Sequence, residues 1–301
     1  MAASHASDRD ALTKRVLPEM TLAQGRSPAA EARIDSLHPA ARDSAAGRFS
    51  IAGNAVITGG TGAIAMVVAK AVLQHGASGL MLLDLNVEAS RDAVQALRDE
   101  FPDAKVETRE VDVTDEEAVT KAIDETVTTL GSVDMLVCLA GIVGCAHALD
   151  MPISQWRRVL DVNTTGAFIC ARAAARAMVS QGNGGRIILT ASISAHRVNF
   201  PQPQVAYNVS KGALLMLKSS LAAEWARYGI TVNSISPGYM DTVLNEGEGL
   251  AAARKVWNER NPAGRMGLPE ELAGVVVMML SRAGSYMNGA DVVVDGGGHV
   301  F

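Results

Sequence analysis

The chain has 301 residues, of which 48% are hydrophobic and only 4% aromatic, with a formal net charge of −5. A chain of this length and apolar content buries a sizeable core, as one large α/β domain or two ordinary ones. The acidic balance gives no support for nucleic acid or an anionic membrane as partner, and the longest apolar run, LAGVVVMML at 272–280, falls well short of the ~18 residues that read as a bilayer span.

Residues 1–48 stand apart. Ala, Ser, Pro and Arg dominate and no sustained apolar period appears, so the segment reads as an N-terminal extension, partly disordered or locally helical around residues 9–24. It lacks the apolar segment of a secretory signal. Arg9, Lys14 and Arg15 among small residues admit a mitochondrial presequence, but Asp8, Asp10 and Glu19 count against one, and the expected location is the cytoplasm. The three cysteines, Cys138, Cys145 and Cys170, match neither a zinc spacing nor a disulfide framework. They read as small buried hydrophobes in a reducing compartment, and no metal site is expected.

From residue 49 to 301 short apolar runs alternate with longer helical patterns. Strands are expected at 54–58, 79–84, 106–111, 134–139, 185–190, 230–235 and 291–295. Helices are expected at 62–75, 87–100, 115–130, 154–181, 205–228 and 269–281. Thr114 with Glu117 has the spacing of a capping box, and Pro269 followed by Glu270 and Glu271 suits a first helical turn. This alternation predicts a single α/β domain of the doubly wound Rossmann type, a parallel sheet of about seven strands with helices on both faces. Right-handed crossovers then place a ligand at the carboxyl ends of the strands.

The chemistry-bearing residues fall at those ends. VITGGTGAIAM, 56–66, joins the first strand to the first helix, and from Gly60 it spells G-x-G-x-x-A. Glycines there allow a tight turn, and the helix N-terminus offers amides to a pyrophosphate. An ordinary strand–helix turn uses the same residues. Asp84 ends the second strand at roughly the offset of a ribose-binding acid. Its carboxylate would accept from both ribose hydroxyls and repel a 2′-phosphate, which favours NAD over NADP; a turn aspartate is the plainer reading. Asp112, after the third strand, is a candidate for the adenine amino group or a plain strand-end residue.

In the second half, Tyr207 and Lys211 stand four apart at the start of a helix, which stacks them on one face. A phenol is a weak acid, with a reference pKa near ~10. A neighbouring ammonium and the positive charge of an oxidised nicotinamide would favour the phenolate and let it exchange protons. GGRIILTASISAH ends a buried strand in Ser192 and Ser194, either of which could polarise a carbonyl beside the tyrosine or simply close a turn. Asn163 and Gly166 interrupt an otherwise strong helical pattern in DVNTTGAFICARAAARAM. They predict a local kink at which Asn163 holds a water, or packs as an ordinary asparagine.

Taken together these residues resemble the short-chain dehydrogenase/reductase family over about 50–299. The resemblance rests on TGGTGAIA at 58–65, Asp84, the AG of LVCLAGI, Asn163, Ser192, YNVSK at 207–211, NSISPGYMDT and VVDGGG. It implies Tyr207 as acid/base, Lys211 as ribose clamp, Ser192 as carbonyl polariser and Asn163 as water holder. It implies cofactor contacts at Gly59, Thr61, Gly62, Ala63, Ile64, Asp84, Asp112, Val113, Ala140, Gly141, Tyr207, Lys211, Pro237, Gly238, Met240 and Thr242. The family is one of dimers and tetramers built on the helices at 154–181 and 205–228, so a homodimer or homotetramer is implied.

Three departures stand out. Ala63 and Ala65 occupy positions where the family carries glycine, Cys138-Leu139 replaces the asparagines of its NNAG, and the interval from Ser192 to Tyr207 is longer than usual, which Ser194 would restore. The run TASISAHRVNFPQPQVAYNVSK is similar to the polyol/ketose branch, the mannitol, arabinitol, xylulose and sorbose oxidoreductases. This implies a sugar alcohol or ketose substrate, with Ser194, His147, Asn199, Gln202 and Gln204 as candidate hydrogen-bonding residues, although loop Gln and Asn are usually solvated. The stretch 239–265 reads as a mobile lid, with Trp257 covering the site or docking the lid. Hydroxyacyl, steroid or specialised-metabolite ketones are the alternative substrates. A non-catalytic binding or scaffold protein is the alternative of another class, motivated by the departures.

Overall fold

The computed structural model describes residues 18–23, 44–242 and 245–300. Of the stretch expected to be helical in the extension, only 18–23 falls among these, and it is irregular and exposed; the remainder lies outside the described residues. Ser44 caps a single turn, Ala45–Arg48, accepting from the Gly47 amide at 2.8 Å.

Seven parallel strands form one sheet in the order β3-β2-β1-β4-β5-β6-β7. They are β1 Asn54–Thr58, β2 Gly79–Asp84, β3 Lys105–Glu110, β4 Met135–Cys138, β5 Gly185–Thr190, β6 Ile230–Pro237 and β7 Asp291–Val294. Each falls within a residue or two of its expected place. The central strands are apolar on both faces, because each face meets a helical layer. Val56, Met81, Leu83, Leu136, Ile187, Leu189 and Val232 enter one core, packed under α3 (Glu116–Leu130), α5 (Ala167–Gln181) and α6 (Val205–Trp225). Their alternates Ala55, Ile57, Leu80, Leu82, Met135, Val137, Ile188 and Ile235 enter the other, under α1 (Ala63–Gln74), α2 (Arg91–Glu100) and α8 (Glu270–Leu280). The strand order reverses between β1 and β4, and the cleft at that switch point is where the carboxyl-end loops converge.

Two local expectations, the capping box and the burial of Cys145, are corrected, and two others are refined. The capping box does not form: Thr114 gives both its hydroxyl and its amide to Asp112 Oδ1, at 2.7 and 2.9 Å, and Asp115 caps α3 instead, accepting from Ala118 N at 3.0 Å. The helix expected at 154–181 is not continuous. It runs as α4 (Ile153–Leu160), a wide π-type turn at Asp161–Gly166, and then α5; this is the kink that Asn163 and Gly166 predicted, and Val113 lies where a Cβ on Gly166 would have to go, at 2.8 Å. The lid stretch contains a helix of its own, α7 (Ala251–Glu259), whose Trp257 is buried. Finally, Cys138 and Cys170 are buried as expected, but Cys145 is exposed. All three are free thiols.

Candidate functional site

The loop after β1 is shaped by two glycines. Gly59 has φ +63° and lies against Ala140, whose backbone N and Cα sit 2.8 Å from where its Cβ would be. Gly60 meets Ile57 O and Leu82 Cβ at the same distance, so neither position accepts a side chain. Gly62 adopts φ −70° and ψ 158° ahead of α1, with no side-chain cap. The amides of Ala63, Ile64 and Ala65 therefore stand at an open helix N-terminus, the arrangement that receives an anion. Among the described residues no non-glycine has a positive φ, so the two alanines keep ordinary angles; Ala65 is buried in the core behind the loop and Ala63 is exposed.

Asp84 reaches back to this loop. Its Oδ2 accepts from Thr61 N and its Oδ1 from Asn86 N, both at 3.2 Å. Ser90 Oγ donates to Thr61 O at 2.9 Å and pins the loop from the other side. Asp112 is exposed, and its two hydrogen bonds from Thr114, backbone first, hold its carboxyl below the usual carboxylate range. Val113 beside it is buried. On β4, Leu139 N donates to Thr58 O at 3.0 Å and Ala140 N to Thr58 Oγ1 at 3.3 Å. A Cβ on Gly141 would stand 3.3 Å from Asn163 Oδ1 and 3.6 Å from Lys211 Nζ, so this glycine opens onto both. Cys138, where the family has asparagine, is buried; burial pushes its thiol far up, and Thr58 hydrogen-bonds it.

The wide turn at Asp161–Gly166 presents Asn163 to the loop after β4. Its Oδ1 accepts from Ile142 N at 2.8 Å, while its Nδ2 donates to Ile142 O at 2.9 Å and to Ser210 Oγ at 3.0 Å. The asparagine is thus a clamp between the β4 loop and α6. Lys211, one residue beyond Ser210, is buried, and its Nζ donates to Thr190 O at 2.6 Å at the end of β5. Burial lowers its pKa to about 8, with the nearby Cys138 opposing.

Tyr207 lies one turn earlier on α6, half-buried, with Lys211 Nζ 5.6 Å from its ring centroid. Ser192 acts on its phenol, and Ser192 Oγ lies 3.1 Å from Ser194 Oγ and accepts from Ser194 N at 3.1 Å. Ser192 and Ser194 are thus joined to each other beside the tyrosine's helix. Burial holds the Tyr207 phenol above its ordinary value against the pull of Ser192, with the nearby Tyr239 also raising it. Lys211 directs a proton to Thr190 O and is not among the groups that shift this phenol in the protein alone.

The remaining candidates have partners of their own. Pro237 ends β6, Gly238 N donates to Val294 O at 2.9 Å, and a Cβ on Gly238 would strike Asp295 at 2.7 Å. Met240 is buried, and Thr242 is half-buried with its carbonyl accepting from Asn245 N at 2.8 Å. Gln204 is buried, with Nε2 on Cys145 Sγ at 3.3 Å. Asn199 and Gln202 both donate to the hydroxyl of Tyr239, at 2.8 and 2.9 Å. His147 stays exposed, in the turn that closes on Asp150. Tyr239 itself was not singled out in the sequence; its one signal is its position directly after Pro237-Gly238.

Known proteins resemble this chain over most of its length. A family model described as enoyl-(acyl carrier protein) reductase matches residues 60–299. The chain is 34% identical over 252 residues to an NADP-dependent mannitol dehydrogenase of Hypocrea jecorina, covering 83% of this chain and 93% of that one. It is 39% identical over 245 residues to galactitol 2-dehydrogenase of Rhizobium johnstonii, covering 81% and 93%. Among solved structures, a short-chain type dehydrogenase/reductase from Mycobacterium marinum superposes with a TM-score of 0.77 at 42% identity, covering 83% of this chain and 97% of that one.

Proposed function

The chain belongs to the short-chain dehydrogenase/reductase family, and from that premise we propose that it is an NAD(H)-dependent oxidoreductase interconverting a sugar alcohol and its ketose. The observation that carries the reading is the set gathered at the end of β5 and the start of α6: a buried Lys211 with Nζ 5.6 Å from the Tyr207 ring and bonded to Thr190 O, and Ser192 acting on the Tyr207 phenol.

A nicotinamide dinucleotide fits the residues present. Gly59 and Gly60 clear the approach to an uncapped helix N-terminus that would take the pyrophosphate, and Gly141 opens onto Lys211. When bound, the cofactor supplies or takes up the hydride at the carbinol carbon. Tyr207 gives its phenolic proton to the carbonyl oxygen in reduction and takes it back in oxidation. Ser192 donates to the same oxygen and so favours the charge that develops there. Lys211 holds the ribose hydroxyls by its ammonium and, with charge beside it, eases the proton off Tyr207. Asn163 keeps the β4 loop and α6 in register, and in the family's manner would hold a water that returns protons to Lys211.

NAD is preferred to NADP on the strength of Asp84, whose carboxylate would accept from the adenosine ribose and repel a 2′-phosphate. Polyols are preferred to apolar ketones because the loop between Ser192 and Tyr207 carries Ser194, Asn199, Gln202 and Gln204, polar groups suited to a polyhydroxylated substrate. Residues 49–301 are taken as the catalytic domain, with 1–48 as an extension. Three free cysteines suit the reducing cytoplasm, and no described helix is long and apolar enough to cross a membrane. Val205, Val209 and Met216 lie exposed along α6, and we assign that face to self-association as a homodimer or homotetramer. The test is a panel of polyols with NAD⁺ and ketoses with NADH, followed at the NADH absorbance band. Turnover of sugar alcohols and ketoses is expected; turnover of an apolar ketone with none of these would overturn the sugar reading.

A further inference from the structure

Tyr239 carries a hydrogen-bond arrangement that the chemistry above does not use. Its ring stacks on Trp257 of α7, with centroids 4.2 Å apart and planes 8° from parallel. The Trp257 indole N–H donates to Gln202 Oε1 at 3.1 Å. An indole only donates, so this bond fixes which end of the Gln202 amide faces it. The other end, Nε2, then donates to the Tyr239 hydroxyl at 2.9 Å, and Asn199 Nδ2 donates to the same oxygen at 2.8 Å. A phenol accepts through its oxygen and has one proton to give. With the Asn199 amide oriented so, which leaves its Oδ1 buried without a partner, two amides fill the acceptor side and that proton is left for another group. Burial holds the phenol above its ordinary value against the pull of the two amides, so the proton is kept at neutral pH. Tyr239 follows the carboxyl end of β6, next to the end of β5 from which Ser192 extends.

We propose that Tyr239 is a specificity-determining residue that donates its proton in a hydrogen bond to a substrate oxygen other than the one that reacts. The assignment rests on the polyol/ketose reading. A ketose offers such an oxygen, the hydroxyl beside its carbonyl, and a plain ketone offers none. Gln202 and Trp257 are positioning residues that aim the phenol. Because Trp257 belongs to α7, docking of that helix and recognition of the substrate depend on the same three side chains. A buried donor made to meet an oxygen is left unpaired by the analogue lacking it, which is the stronger form of discrimination.

The experiment compares hydroxyacetone with acetone, a pair that differs by that one hydroxyl, on wild type and on Tyr239→Phe, which keeps the stack with Trp257. Each is read as kcat/KM with NADH and as a dissociation constant with NAD⁺ present, from tryptophan fluorescence. Wild type should favour hydroxyacetone by about tenfold. Tyr239→Phe should erase that preference through KM and leave acetone and NADH binding unchanged. Trp257→Phe, which removes the N–H and keeps an aromatic ring for the stack, should erode the same preference to a lesser degree. If wild type favours hydroxyacetone and Tyr239→Phe keeps the preference, or weakens both ketones equally, the Tyr239 assignment falls and the polyol reading stands. An Asn199 amide turned so that its Oδ1 accepts the phenol proton would give that same result. If wild type does not distinguish the two ketones in rate or in binding, both fall.

Discussion

The two halves of the cleft are built on different terms. The β1–β2 side works through backbone shape: a left-handed Gly59 against Ala140, a Gly60 with no room for a side chain against Leu82, and an open helix end. The β4–β6 side works through side chains bonded to their neighbours, with Asn163 tied to Ile142 and Ser210, Lys211 to Thr190, and Ser192 to Ser194. A shape tolerates any residue that keeps its angles and clearance, which is why Ala63 and Ala65 replace glycine without distortion. A network of side chains has no such latitude.

Breaking the side-chain half should give the largest effect. Tyr207→Phe removes the proton and little else, and kcat should fall by about 10²–10⁴-fold while the NADH dissociation constant, measured by fluorescence, stays put. Breaking the shape half needs the right glycine. Gly59→Ala places a Cβ 2.8 Å from the Ala140 backbone at φ +63°. Strain of about 1–3 kcal/mol should appear as a lower Tm and at least roughly tenfold weaker NADH binding.

Lys211 sharpens the contrast through pH. Held at about 8 in the folded chain against an ordinary 10.5, it opposes folding where it must be buried charged. That opposition fades as pH rises from about 8 towards the unfolded value, so the contribution of Lys211 to stability improves over that window. The ammonium that binds ribose is lost over the same range, so kcat/KM for NADH, which reports the free enzyme, should fall as pH passes about 8. Lys211→Arg keeps its charge and should remove that limb. The smallest effect belongs to Ala63→Gly, which should leave NADH affinity unchanged or slightly tighter; a marked loss would show that the alanine is needed.

The sheet and most helices were legible in the sequence because their apolar periods are strong and both faces of the sheet are covered. The break at Asn163–Gly166 was legible too, since two poor helix residues sat inside a good helix. What escaped depended on which neighbour a side chain turns to. Thr114 had the spacing of a cap, yet its hydroxyl goes to Asp112. Cys145 reads like Cys138 but lies on an exposed loop. Tyr239, Trp257 and the Asn199–Gln202 loop are three separate segments, and nothing in their spacing says that they meet. The candidate residues were legible as a set in the sequence, and the preference for Ser192 over Ser194 rested there on the loop pattern alone.

The central claim is that a loop with displaced glycines still makes a working cofactor site, read by Asp84. Direct titration with NADH and NADPH, followed by nucleotide fluorescence, tests it most simply. NADH should saturate in the micromolar range and NADPH should bind at least roughly tenfold more weakly. No binding of either at millimolar concentration would contradict the account, and tighter binding of NADPH would reverse the role given to Asp84.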